Sequence, residues 1–145
     1  MRRTGAEEMV GLLNRFFAVV VDTVEAGGGL VDKFEGDAAL CIFGAPADLP
    51  DPAGAALRSA RLIGEAVAEA GEVDVGIGVS CGPVNEAARL TELAKDHPGR
   101  AVASERTVQA AGPDERAHWR PDDEVVLRGR DEPTRTWVRA GSSTA

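Results

Sequence analysis

The stretch Leu30-Val31-Asp32-Lys33-Phe34-Glu35-Gly36-Asp37-Ala38-Ala39-Leu40-Cys41-Ile42-Phe43 decides the fold. Leu30 to Phe34 reads as a short strand, Ala38 to Phe43 as a second and more apolar one. Glu35-Gly36-Asp37 between them is a turn, with Gly36 free to take a positive φ. The pattern predicts a β-hairpin that sets Lys33 and Asp37 on either side of a tight glycine turn. A carboxylate at such an edge can bind Mg²⁺ beside a polyphosphate, because hard cations take oxygen ligands and keep phosphates as co-ligands. A lysine nearby can read a base or neutralise a phosphate. Charged hairpin turns are also commonly no more than solvated, and the hairpin alone does not choose.

Upstream, Thr4 and Glu7 have capping-box spacing and predict a helix start. Met9, Leu12, Leu13, Phe16, Phe17, Val20 and Val24 then recur at helical spacing, and Gly27-Gly28-Gly29 ends the helix. Downstream, Asp51-Pro52 places a capping carboxylate before a first-turn proline. Ala53, Ala56, Leu57, Ala60, Ile63 and Val67 share one face of the helix that follows. Val73 to Ser80 reads as a strand, Asn85 to Lys95 as a helix, and Arg100 to Ala103 as a short strand. Ser104 is placed to cap a short helix over Glu105 to Ala111. Residues 112–124 are polar, carry two prolines and read as loop. Val125 to Arg128 and Thr134 to Val138 read as a closing hairpin. The expected architecture is α+β, an antiparallel sheet with helices packed on one face. A strand before the first helix would complete a ferredoxin-like βαββαβ core. Residues 1–140 form one expected domain and 141–145 a tail.

The chain has 145 residues and a formal net charge of −8, which argues against nucleic acid or an anionic membrane as partner. No apolar run approaches the roughly 20 residues of a membrane helix, so no membrane contact is expected of this segment. Cys41 and Cys81 lie in apolar runs without metal-ligand spacing and read as buried, reduced thiols of a cytoplasmic protein.

Two further groups bear on chemistry. In Val84-Asn85-Glu86-Ala87-Ala88-Arg89-Leu90, Asn85 and Arg89 are one turn apart and share a helix face. An amide beside a guanidinium suits a sugar oxygen and a phosphate; a solvated pair on an amphipathic helix is the plain alternative. Leu127-Arg128-Gly129-Arg130 puts two arginines at a hairpin, either a phosphate clamp or an exposed turn.

In order along the chain stand Asp-Lys-Phe-x-Gly-Asp, Phe-Gly-Ala-Pro, Gly-Ile-Gly-Val, Val-Asn-x-Ala-Ala-Arg-Leu and Leu-Arg-Gly-Arg-x-Glu-Pro-x-x-x-Trp. The combination resembles the class III adenylyl cyclase catalytic domain, particularly its actinobacterial members, over Thr4 to Val138. The resemblance implies a head-to-tail homodimer with active sites at the interface, ATP as substrate, and two divalent cations, Mg²⁺ or Mn²⁺, on the triphosphate. It makes Asp37 the second metal aspartate. Lys33 becomes the adenine reader, since guanylyl cyclases typically carry a glutamate there. Asn85 would orient the ribose and Arg89 stabilise charge on the α-phosphate, both from the partner subunit. Arg128 stands where the family often has a phosphate-binding lysine. The implied reaction is conversion of ATP to 3′,5′-cyclic AMP and pyrophosphate.

The chain departs from the family twice. The opening Phe-x-Asp-x-x-Gly strand, with the first metal aspartate, is not found, and Asp22 late in the first helix is no substitute. Between Gly82 and Asn85 the family carries a flexible loop and an adenine-reading strand that this chain lacks. Four extended residues reach about 14 Å, which argues against a return along a strand as long as Val73 to Ser80. A backbone break between Gly82 and Asn85 is therefore expected, with a second omission upstream of Thr4. The alternative function is a catalytically inactive cyclase-homology module that binds nucleotide or mediates dimerisation; an unrelated ferredoxin-like binding domain is the third reading.

Overall fold

The computed structural model describes residues 5–35, 38–46, 48–70, 75–82, 84–97, 100–127 and 132–140. The first helix, α1, spans Ala6–Ala26 and starts from Gly5 without a side-chain cap. Thr4 and the region of the expected upstream omission lie outside the described residues. The glycines end α1 as expected: the Gly27 N–H donates to the Thr23 and Val24 carbonyls, and Gly28 takes φ +87°.

The hairpin forms from β1 (Leu30–Glu35) and β2 (Ala38–Ile42), paired antiparallel with a bulge between Val31 and Lys33. Its turn, Gly36 and Asp37, lies outside the described residues. The second helix, α2, spans Pro52–Ala70, and Asp51 caps it by accepting the Gly54 N–H at 3.0 Å. Next come β3 (Ile77–Val79), α3 (Val84–Ala94), β4 (Ala101–Ser104) and α4 (Glu105–Ala110). Ser104 caps α4 through the Thr107 N–H. The segment read as loop instead holds a one-turn helix, α5 (Pro113–Arg116), and strand β5 (Trp119–Val125), which pairs with β6 (Thr134–Arg139). Trp119, buried among α2 and β4 side chains, anchors that polar strand, and the pairing is irregular between Pro121 and Glu124.

The described strands make two sheets, the hairpin alone and a four-stranded sheet in the order β3-β4-β6-β5. The α+β class holds, but β3 and β4 run parallel, and helices cover both faces. Side chains alternate along β4: Ala101 and Ala103 pack with Leu57, Ala60 and Val108 of α2 and α4, while Val102 packs with Leu90 and Ala94 of α3. The hairpin rests on a third cluster, where Val20, Val24, Ile63, Val67 and Val75 meet Val31, Ala39 and Cys41.

A parallel pair needs a crossover, and α3 supplies it. The helix begins beside the end of β3 and runs back over it. A Cβ on Gly78 would stand 2.4 Å from both the Ala87 carbonyl oxygen and the Thr91 nitrogen, and one on Gly76 would stand 2.6 Å from the Thr91 carbonyl oxygen. The expected break between Gly82 and Asn85 falls on Pro83, outside the described residues. Among the described residues, the return along β3 is made by the helix itself. Cys81, expected buried, is exposed; Cys41 is half-buried, and burial pushes its thiol up to about 11.

One buried ion pair locks α2 to α5. Arg61 donates to Glu115 through Nε at 2.9 Å and Nη2 at 2.8 Å, and the Trp119 indole N–H donates to the same carboxylate at 3.0 Å. Burial pushes the Glu115 carboxyl up, but the hydrogen bonds from Arg61 and Trp119 with the Arg61 charge outweigh it, and the group sits below its ordinary value. A carboxyl depressed in the folded state contributes stability above its unfolded value of about 4.3 and loses it as pH falls through the lower folded value. Glu115→Gln is therefore expected to cost roughly 1–3 kcal/mol near neutral pH. It is also expected to flatten the acid limb of the stability curve below about pH 4.5, as read by thermal melts across pH.

Candidate active site

Lys33 sits on β1 opposite Leu40, exposed, with Nζ 3.4 Å from Glu35 Oε2. Its neighbour Phe34 packs at a tilt against Phe17 of α1 with ring centroids 4.6 Å apart. Successive strand residues face opposite ways, so Phe34 fastens the hairpin to α1 and Lys33 faces away from that helix. Asp37 and Arg128 lie outside the described residues.

Asn85 is exposed in the first turn of α3. Arg89, one turn on, is half-buried, and its Nε is shut off from water without a hydrogen-bond partner. The helix carries the pair on a face fixed from behind by Leu90 and Ala94, both fully buried. Asn85 and Arg89 thus stand together, while Lys33 belongs to the hairpin. α3 packs chiefly on β3 and β4, and the hairpin on α1.

Two residues beyond the sequence reading belong to this corner. Glu86 is buried, and its Oε1 accepts the Ser80 hydroxyl. Ser80 Oγ in turn accepts the Gly82 N–H at 2.9 Å. The signal in the sequence was an acidic residue in a first helical turn, a position favoured by the helix dipole.

Among the described residues no group of three or more His, Cys, Asp or Glu could hold a metal ion. Nor is any helix there long and apolar enough to cross a membrane. A cleft of about 520 Å³ opens elsewhere, between the start of α2 and α5. Two of its carboxylates are already engaged: Asp51 takes the Gly54 and Gly112 N–H groups, and Glu115 is held by Arg61 and Trp119. Lys33, Ser80, Asn85, Glu86 and Arg89 do not line it.

No protein-family model matches the chain. It is 49% identical over 154 residues to the uncharacterized protein Rv1319c of Mycobacterium tuberculosis, covering 92% of this chain and 29% of that protein. It is 48% identical over 149 residues to Rv1318c of the same organism, covering 88% and 28%. The chain therefore spans less than a third of these relatives. The 154-residue match exceeds the 145 residues available here, so Rv1319c carries residues inside the matched region that this chain lacks.

Solved structures give the likeness in shape. A bacterial light-regulated adenylyl cyclase superposes with TM-score 0.77 at 19% identity, over 98% of this chain and 48% of the other. The adenylyl cyclase CyaB from P. aeruginosa gives 0.75 at 20%, over 96% and 85%. The guanylate cyclase domain of RhGC from Catenaria anguillulae, in complex with GTP, gives 0.73 at 24%, over 95% and 87%. The α+β arrangement built around the β3-α3-β4 crossover is thus the fold of the nucleotide cyclase catalytic domains, adenylyl and guanylyl alike.

Proposed function

We propose that the chain is the catalytic part of an adenylyl cyclase of the actinobacterial type, forming cyclic AMP at sites shared by two copies. The carrying observation is Arg89. Its Nε is buried without an acceptor, on the helix face it shares with Asn85. An unsatisfied buried donor costs on the order of 1–3 kcal/mol, and such costs concentrate where a ligand supplies the missing partner. An α-phosphate oxygen is an acceptor of the right chemistry.

In this reading the ribose 3′ oxygen attacks the α-phosphorus in line, the bond from that phosphorus to the bridging oxygen breaks, and pyrophosphate leaves. Asn85 holds the ribose, and Arg89 takes up the charge growing on the α-phosphate. Lys33 donates to N1 of adenine, an acceptor that guanine replaces with a donor. Lys33 and Arg89 belong to separate packing units, which favours a site built from the hairpin of one copy and α3 of another. Arg128 would add charge for the phosphates. Mg²⁺ or Mn²⁺ would fall to Asp37 and would supply positive charge for the phosphates. A cytoplasmic location belongs to the same proposal.

The neighbours include guanylyl cyclases, so the choice of base rests on Lys33. Lys33→Glu is expected to cut ATP turnover about tenfold or more and to raise GTP turnover relative to ATP. Parallel assays of the two nucleotides check it, and an unchanged preference for ATP removes Lys33 as base reader. A second reading has its own observation: Rv1319c has residues within the match that are missing here. That favours an inactive module that binds nucleotide or dimerises. ATP binding without cyclic AMP formation by the unmodified chain would establish it over the first.

A further inference from the structure

The corner between β3 and α3 is tethered at Ser80, Cys81 and Gly82. Ser80 Oγ donates to Glu86 Oε1 and accepts from the Gly82 N–H. The Cys81 N–H donates to Thr107 Oγ1 at 3.0 Å, and Thr107 Oγ1 lies 2.7 Å from Ser104 Oγ. Ser104, Thr107 and Glu86 are all buried. Gly82 leaves room for the carboxylate, since a Cβ there would stand 3.1 Å from Glu86 Oε1. The network ties the end of β4 and the start of α4 to the first turn of α3.

We infer that Glu86 is a positioning residue whose clasp with Ser80 sets where Asn85 and Arg89 stand. Glu86 lies between them on the helix and is turned inward, so it acts through the helix and not on substrate. Besides the packing of Leu90 and Ala94, two features among the described residues hold α3 over β3. The bare backbone of Gly76 and Gly78 sets its height, and the clasp sets its start and rotation. Rotation matters because a group displaced by about 1 Å from its reacting geometry can lose two orders of magnitude in rate. Among the described residues, the clasp joins the end of β3 to the first turn of α3 and so aims the helix.

The kinetic arm of the test rests on the cyclase reading, and a second arm does not. Glu86→Ala and Ser80→Ala are each expected to lower kcat for ATP by about tenfold or more with KM little changed. Glu86→Gln is expected to recover most of the rate, because a carboxamide oxygen still accepts the Ser80 hydroxyl. The double alanine variant should lose no more than the worse single one. Normal kcat in Glu86→Ala, a Gln variant as poor as Ala, or fully additive losses would each overturn the inference. If the unmodified chain makes no cyclic AMP, the cyclase reading fails and hydrogen exchange decides the clasp. The Ala88 to Leu90 amides should then exchange about tenfold faster in both alanine variants, with β6 unchanged. Unchanged rates at Ala88 to Leu90 would overturn it.

Discussion

Arg89→Ala is expected to lower kcat about a hundredfold or more, the scale of losing one preorganised donor to transition-state charge. It is expected to leave the melting temperature within about 2 °C of the parent. The two effects have one cause. Nε is buried without a partner in the free chain, so truncation removes an unsatisfied donor along with some stem packing, and the two offset. Arg89→Lys keeps the charge but not the fork and is expected to stay impaired. Mixing the Arg89→Ala chain with an Asp37→Ala chain should restore part of the activity, because one of the two shared sites is then intact. Steady-state turnover and melting curves read both halves. A melt lowered as far as a core truncation would assign Arg89 to packing, and failure to complement would remove the shared site.

Gly78→Ala carries the largest expected effect on stability. The new methyl would lie 2.4 Å from the Ala87 carbonyl oxygen and the Thr91 nitrogen. Both are backbone atoms of α3, so no side chain can swing aside and the helix must lift off β3. Overpacking of this kind costs about 3 kcal/mol or more, a fall in melting temperature of roughly 10 °C for a domain this size. Gly11→Ala is the matched control. A Cβ there meets only the Arg15 side chain at 3.6 Å, and alanine is the better helix former by about 1 kcal/mol. Equal melts for the two variants would show that α3 does not sit on bare β3 backbone.

Much of this fold is written locally. The apolar spacing of α1 and α2, the glycines after α1, and the Asp51 and Ser104 caps all act within a few residues of themselves, and the structure repeats them. The parallel partnership of β3 and β4 is not local: an apolar run does not say which strand lies beside it. β5 escaped for a related reason. Its alternation is polar, it contains Pro121, and Trp119 is its one buried side chain, so its identity as a strand comes from β6. Of the candidate site, the spacing that puts Asn85 and Arg89 on one helix was legible, and the structure carries both on α3. The Ser80–Glu86 clasp was not, because it depends on the angle at which a strand turns into a helix.

The hairpin is joined to the four-stranded sheet by packing alone among the described residues, through Val20, Val24, Ile63, Val67 and Val75. Hydrogen-bond ladders are directional and hold register, whereas packed apolar layers slide by small shears between neighbouring arrangements. Each copy in the proposed pair lends its hairpin to one reaction centre and its α3 to the other. A slide of the hairpin plate inside a single copy would therefore change the spacing between the two centres without breaking a strand.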